Sequence, residues 1–180
     1  CSPFYHPLAQ GIALEGMKLI KDWLPAAYHD GKNLEARSHM MIASTMGATA
    51  FQKGLGAMHA LSHPAGAVYN THHGLTNAVV MPYVLMFNRS AIEERLVALA
   101  RYLDLPEHTF EAVLRWVLDL RTELKIPHTL KEIGVPENGI SDLSVMAALD
   151  PSCGGNPIPV DEVSLKGLYL AAFHGDLAGF

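Results

Sequence analysis

Residues 54–77 read GLGAMHALSHPAGAVYNTHHGLTN, and this stretch decides how the rest of the chain is read. His59 and His63 stand four residues apart. On an α-helix that spacing puts both imidazoles on one face, a turn apart. Their neighbours Ala57, Ala60, Ala65, Gly66 and Ala67 are small, the composition of a packed helix. Tyr69-Asn70-Thr71-His72-His73-Gly74 reads as a loop, and a helix–loop–helix brings His73 back beside the first pair. Burying these imidazoles among small apolar residues without partners would be costly. A divalent metal would engage the lone pairs of those that ligate. The spacing by itself is weak evidence, because His-x-x-x-His often reflects ordinary helix packing. The Glu of the zinc-protease motif is missing here, the intervening residues being Ala60-Leu61-Ser62. The ligand count is also short. A site that also holds substrate keeps at least three protein ligands, and iron favours oxygen beside nitrogen. No acidic residue lies between Met46 and Arg89, so a carboxylate has to come from elsewhere.

Working outward, helix signals dominate. Pro7 opens a helix with Leu8, Ile12, Leu14, Met17, Leu19 and Ile20, and Pro25 marks its end region. A second helix is expected from Leu34 to Lys53. Its small and Met-rich centre (Met40, Met41, Ala43, Met46, Gly47) predicts burial on most sides. Met58 to Val68 and Leu75 to Met86 follow, the latter with Pro82 as an expected kink or boundary. Three amphipathic segments come next: Ala91–Leu103, with the stripe Ile92, Leu96, Leu99 and Leu103, then Glu107–Leu124 and Ile140–Leu149. Asp150–Pro159, DPSCGGNPIP, reads as a Gly/Pro loop, and Asp161 as the N-cap of a last helix reaching Phe173. No segment reads as a β-strand, and no complete G-x-G-x-x-G or Walker loop is present. The fold expected is all-α, with residues 1–180 as a single all-helical metal-binding domain. Phe51 is read either as core or as a pocket-lining aromatic.

Composition narrows the function classes. A net charge of −5 offers no electrostatic attraction to nucleic acid or an anionic membrane. Ten histidines are the strongest compositional feature, histidine being the commonest metal ligand. The two cysteines, Cys1 and Cys153, do not form a disulfide or thiolate-cluster pattern, and a cytoplasmic compartment is expected. We find no signal peptide and no apolar run of the roughly 20 residues a membrane span needs. The Cys1-Ser2-Pro3 start, without Met, leads us to expect an interior start.

At residues 54–88, GLGAMHALSHPAGAVYNTHHGLTNAVVMPYVLMFN, the chain resembles the iron-containing (group III) alcohol dehydrogenase family. That family carries a similar run, G-L-G-x-x-H-A-x-x-H-x-x-G-x-x-x-x-x-x-H-G-x-x-N-A, and every spacing is kept. ARSHMMIASTMGATAFQ upstream, and IPHTLKEIGV and DPSCGGNPIP downstream, extend the resemblance over nearly the whole chain. It implies the helical C-terminal domain of the dehydroquinate synthase-like fold, without the N-terminal nucleotide-binding domain and so incomplete at its N-terminal side. His59 and His73 then correspond to two metal ligands, and His63 to a histidine of the reaction centre. The family's other two ligands, an Asp and a His in D-x-x-x-H, have no counterpart before His59. His72 stands where the family often has Pro; either His72 or His73 offers an imidazole, and register favours His73. The resemblance implies a divalent metal (Fe2+ first, Zn2+ as the alternative), NAD(P) in the intact enzyme and a small alcohol or aldehyde substrate; a homo-oligomer is expected because the absent upstream helix would leave apolar surface exposed. It also implies that this piece alone is inactive. Two other readings stay open: a stand-alone helical His-cluster metal-binding module, which needs a carboxylate or fourth His converging on His59, and a metal-free structural module.

Overall fold

A computed structural model describes residues 1–179. Eight α-helices occur among them, with short 3-10 turns and no strand: α1 (Pro7–His29), α2 (Leu34–Ala50), α3 (Ala57–Tyr69), α4 (His73–Phe87), α5 (Arg89–Tyr102), α6 (Phe110–Glu123), α7 (Ile140–Ala148) and α8 (Glu162–His174). The all-α expectation therefore holds. The chain divides into two compact units. One contains residues 1–3, 55–92 and those from Lys125 onward; the other contains residues 4–54 and 93–124. The division falls within α5.

The second unit contains α1, α2 and α6. Ala9 and Gly16 on α1, and Ala36 and Ala43 on α2, are the buried residues of these two helices. Each pair is two turns apart, so each helix offers one stripe of small side chains and the backbones approach closely. A Cβ added at Gly16 would stand 3.4 Å from the Met46 Cβ. The expectation that α2 is buried on most sides is corrected here. Its small residues pack only along that stripe, and Leu34, Met41 and Ile42 are exposed. Phe51 lies in the 3-10 turn after α2 and is exposed, so it is not core. Pro25 lies in the end region of α1 as expected, and the helix stops at His29. The stripe of Ile92, Leu96, Leu99 and Leu103 is buried as expected.

The first unit holds the larger core. Ala57, Leu61 and Ala65 of α3 meet Val79, Val80 and Tyr83 of α4, Ile140, Leu143 and Ala147 of α7, and Leu165, Leu168 and Tyr169 of α8. Pro82 lies inside α4 rather than at its boundary. Proline removes one helical hydrogen bond and costs about 3 kcal/mol in a helix interior. Pro82 is buried beside Val79, Val80 and Tyr83, and packing on the core face offsets that cost. Pro64 interrupts the ladder of α3 in the same way, and the turn that precedes it carries the Leu61 carbonyl. Tyr169, fully buried on α8, donates its hydroxyl to that carbonyl at 2.6 Å. Burial pushes the phenol far above its ordinary range, with the Asp150 charge adding to the effect, so it stays neutral and keeps the proton it donates. Tyr169→Phe is expected to lower stability by about 1 kcal/mol, the net worth of one neutral hydrogen bond, read as a shift in the urea midpoint at unchanged slope.

Asp161 caps α8 as expected, in a reciprocal box. It accepts from the Ser164 N–H at 2.9 Å while Ser164 Oγ accepts from the Asp161 N–H at 2.8 Å. The Ser164 backbone N–H, and then its hydroxyl, hold the Asp161 carboxyl below the ordinary carboxylate value. A depressed folded value means that the cap's ionic contribution is complete above the unfolded value, about 3.9. It is lost as pH falls through the lower folded value. Asp161→Asn keeps a capping oxygen at every pH. Its melting temperature is therefore expected to fall less than that of the unaltered chain as pH drops through this window, measured by thermal unfolding at stepped pH.

Candidate metal centre

Two pairs of residues at i, i+4 spacing build the site: His59 and His63 on α3, and His73 and Asn77 on α4. Asn70, in the left-handed conformation at φ 54°, ends α3, and its N–H bonds back to the Gly66 carbonyl. Asparagine tolerates that conformation, which closes the helix and reverses the chain. Only residues 70–72 lie outside helices, so the loop is shorter than the sequence suggests and His73 is the first residue of α4. His72 is the N-cap, accepting from the Leu75 N–H at 3.2 Å through Nδ1. That assignment explains His72 as a capping side chain and leaves His73 as the residue that faces α3.

The three sequence-predicted histidines come together. Ring centroids are 5.2 Å apart for His59–His73, 5.3 Å for His63–His73 and 5.8 Å for His59–His63. His59 alone is buried; His63 and His73 are exposed, which corrects the expectation that several imidazoles are buried together. Burial, and next the neighbouring His73 and His63, depress the His59 imidazole below its ordinary value, which keeps it neutral and its lone pair available.

The nitrogen geometry is specific. The Asn77 amide nitrogen lies 3.4 Å from His59 Nε2 and 3.1 Å from His73 Nε2. An amide nitrogen has only protons to give, so both Nε2 atoms present lone pairs toward one point. The other side of His73 agrees. Ser62 Oγ donates to the His59 carbonyl at 3.2 Å, which leaves its oxygen to accept from His73 Nδ1 at 3.3 Å. A proton on Nδ1 leaves the lone pair on Nε2, the tautomer a metal ligand needs. Asn77 Oδ1 is buried with no hydrogen-bond partner. Two convergent imidazole lone pairs beside an orphaned oxygen make a donor set that suits a divalent cation. It is a partial set: among the described residues, no three His, Cys, Asp or Glu side chains are arranged to hold a metal.

His63 faces a different partner. Its Nδ1 lies 2.8 Å from Asp150 Oδ2. Asp150 is the N-cap of the 3-10 turn Pro151–Gly155, which forms where the sequence suggests an irregular loop, and its Oδ1 accepts from the Ser152 N–H at 2.8 Å. Burial by itself would raise the Asp150 carboxyl, but the hydrogen bonds from Ser152 and His63 outweigh it and hold the group below the ordinary carboxylate value. Asp150, Asn77 and Ser62 were not singled out in the sequence. Asn77 carries a legible signal, standing one turn after His73; Asp150 reaches His63 only through the tertiary fold.

Against known proteins, residues 1–173 match the family model "Fe-containing alcohol dehydrogenase family, C-terminal". The chain belongs to the iron-containing alcohol dehydrogenase family. Its relatives include the 4-hydroxybutyrate dehydrogenase of Cupriavidus necator, 38% identical over 87% of this chain and 43% of that protein. The NADPH-dependent butanol dehydrogenase of Clostridium saccharobutylicum is 31% identical over 99% of this chain and 47% of its own length. The fold is similar to that of the alcohol dehydrogenase from Oenococcus oeni, with a TM-score of 0.88 at 27% identity, over 96% of this chain and 47% of that one. The chain thus spans about half the length of these proteins. Within the family frame, the quartet His59, His63, His73 and Asn77 falls in the stretch whose spacing carries the resemblance. No helix among the described residues is long and apolar enough to cross a membrane.

Proposed function

We propose that this chain is the metal-holding helical part of an NAD(P)-linked alcohol dehydrogenase that interconverts a small alcohol and its aldehyde or ketone. The observation that carries this reading is the meeting of the His59 and His73 Nε2 lone pairs on one point, with His63 alongside. His59 and His73 are the chain's ligands for a divalent ion, Fe2+ first and Zn2+ as the alternative. When bound, the ion supplies polarisation of the substrate oxygen, and a nicotinamide supplies the hydride chemistry. Ser62 orients His73 through Nδ1. The partly exposed His63 takes up the hydroxyl proton on oxidation and returns it on reduction. The cytosol is the compartment proposed.

Alone, the chain is expected to turn over no alcohol. Two imidazoles fall short of the three protein ligands a catalytic site keeps, and the sequence has no nucleotide fingerprint. The stand-alone metal-module reading asks for a carboxylate converging on His59. The carboxylate that arrives, Asp150, is engaged by His63 and Ser152. The test joins this chain to the part of the Clostridium butanol dehydrogenase that it does not cover. NAD(P)-linked oxidation of butan-1-ol is expected only with added metal, and His59→Ala is expected to lower kcat/KM by more than about a hundredfold, as loss of a ligand exceeds loss of an outer hydrogen-bond partner. Turnover by the unjoined chain, or a His59→Ala chimaera as active as its parent, would contradict the proposal.

A further inference from the structure

His63 is placed to move a proton only if one ring nitrogen is a free base, and its surroundings decide which. A neutral imidazole carries its proton on Nδ1 or Nε2, and the partner of one nitrogen fixes the state of the other. Asp150 Oδ2 lies 2.8 Å from Nδ1, and Asp150 is held ionised by its bonds to Ser152 and His63. A carboxylate only accepts, so Nδ1 carries the proton. Nε2, on the far side of the ring, has no hydrogen-bond partner among the described residues. The two carboxylate oxygens have separate tasks: Oδ1 caps the turn through the Ser152 N–H and Oδ2 faces the ring. The Asp150 side chain is 13% exposed against 42% for His63, so the anchor is sheltered while the ring edge meets solvent.

We infer that Asp150 is the positioning residue that holds His63 in its Nδ1–H form, so that the unprotonated Nε2 is the nitrogen turned to the open edge of the site. The task of Nε2 rests on the function proposed above; the tautomer does not. The arrangement parallels the carboxylate that orients the base of a serine hydrolase, where the Asp→Asn change gives the wrong tautomer.

Asp150→Asn separates positioning from capping, since an Asn oxygen caps as well as an Asp oxygen, while its amide N–H₂ turned toward Nδ1 favours the Nε2–H form. The experiment is a two-bond proton–nitrogen correlation on the metal-stripped chain with 15N-labelled histidine, at mildly alkaline pH where a free imidazole is neutral. His63→Gln assigns the signal. The expected result is an Nδ1–H pattern for His63 in the unaltered chain and its inversion to Nε2–H in Asp150→Asn, at equal helical circular dichroism. An Nε2–H pattern in the unaltered chain overturns the inference, as does a tautomer indifferent to Asp150→Asn in a folded variant. If the variant does not fold, the unaltered chain's spectrum decides alone. Failure of the dehydrogenase reading would leave this spectrum unchanged, so the two failures are distinguishable.

Discussion

Asn156→Ala is expected to lower the unfolding free energy by about 3–5 kcal/mol, near the top of what a single substitution does. The Asn156 side chain is buried and every polar atom is used. Oδ1 accepts from the Ala57 N–H at 3.1 Å and from Asn88 Nδ2 at 3.0 Å, and Nδ2 donates to Asn88 Oδ1 at 2.8 Å and to the Ile158 carbonyl at 2.7 Å. Alanine removes all four bonds and leaves their partners buried, each at a cost of about 1–3 kcal/mol, partly recovered by relaxation. The surrounding backbone packs closely on this side chain. A Cβ at Gly56 would stand 2.9 Å from Asn156 Oδ1, and one at Gly155 would overlap the Leu55 carbonyl. Ala57 is the first residue of α3, two residues before His59, so the same change loosens the end of the helix that carries the site. Urea unfolding of the variant measures the effect. A loss under about 1 kcal/mol would mean that the loop Pro151–Ile158 does not anchor α3.

Much of this was legible in the sequence because it is local. Spacings of three and four residues gave the helices, and the Ile92–Leu103 stripe is buried where the pattern puts it. Asp161 caps because N-cap chemistry is contained in four residues. The positions of His59 and His63 follow from helix geometry, and His73 from a short reversal at Asn70. What failed depended on partners distant in the chain. Composition alone overstated the burial of α2, since small residues report a close contact on one side and not on all sides. Pro25 marks the end region of α1 as its position suggests, and of the two readings of Pro82, kink or boundary, the boundary does not hold, because Pro82 packs inside α4. Asp150 could be read as a turn cap, yet its bond to His63 spans 87 residues and follows from how α3, α7 and the Pro151 turn pack. Asn156 looked like one more polar residue in a Gly/Pro loop, although it closes the first unit between Asn88 and Ala57.

The central claim is that His59 and His73 direct two Nε2 lone pairs at one cation. Their pairing through a shared amide nitrogen, and the Ser62 bond to His73 Nδ1, fix the required tautomers before any ion arrives, and the Asn77 amide that the lone pairs meet has to swing aside for an ion to reach them. With only part of a ligand set, affinity is expected to be modest and sensitive to pH, because both imidazoles must be neutral. The chain carries other histidines, so a bulk metal count does not identify the site. The most direct measurement is titration of the 15N-histidine-labelled chain with a paramagnetic divalent ion, Co2+, followed ring by ring. The account predicts that His59 and His73 broaden together, with the adjoining His63 beside them and before every histidine elsewhere in the chain, and that in either His59→Ala or His73→Ala the remaining partner no longer broadens at the same Co2+ concentration. Broadening that begins at His29, His39 or His108 while His59 and His73 stay sharp would contradict it.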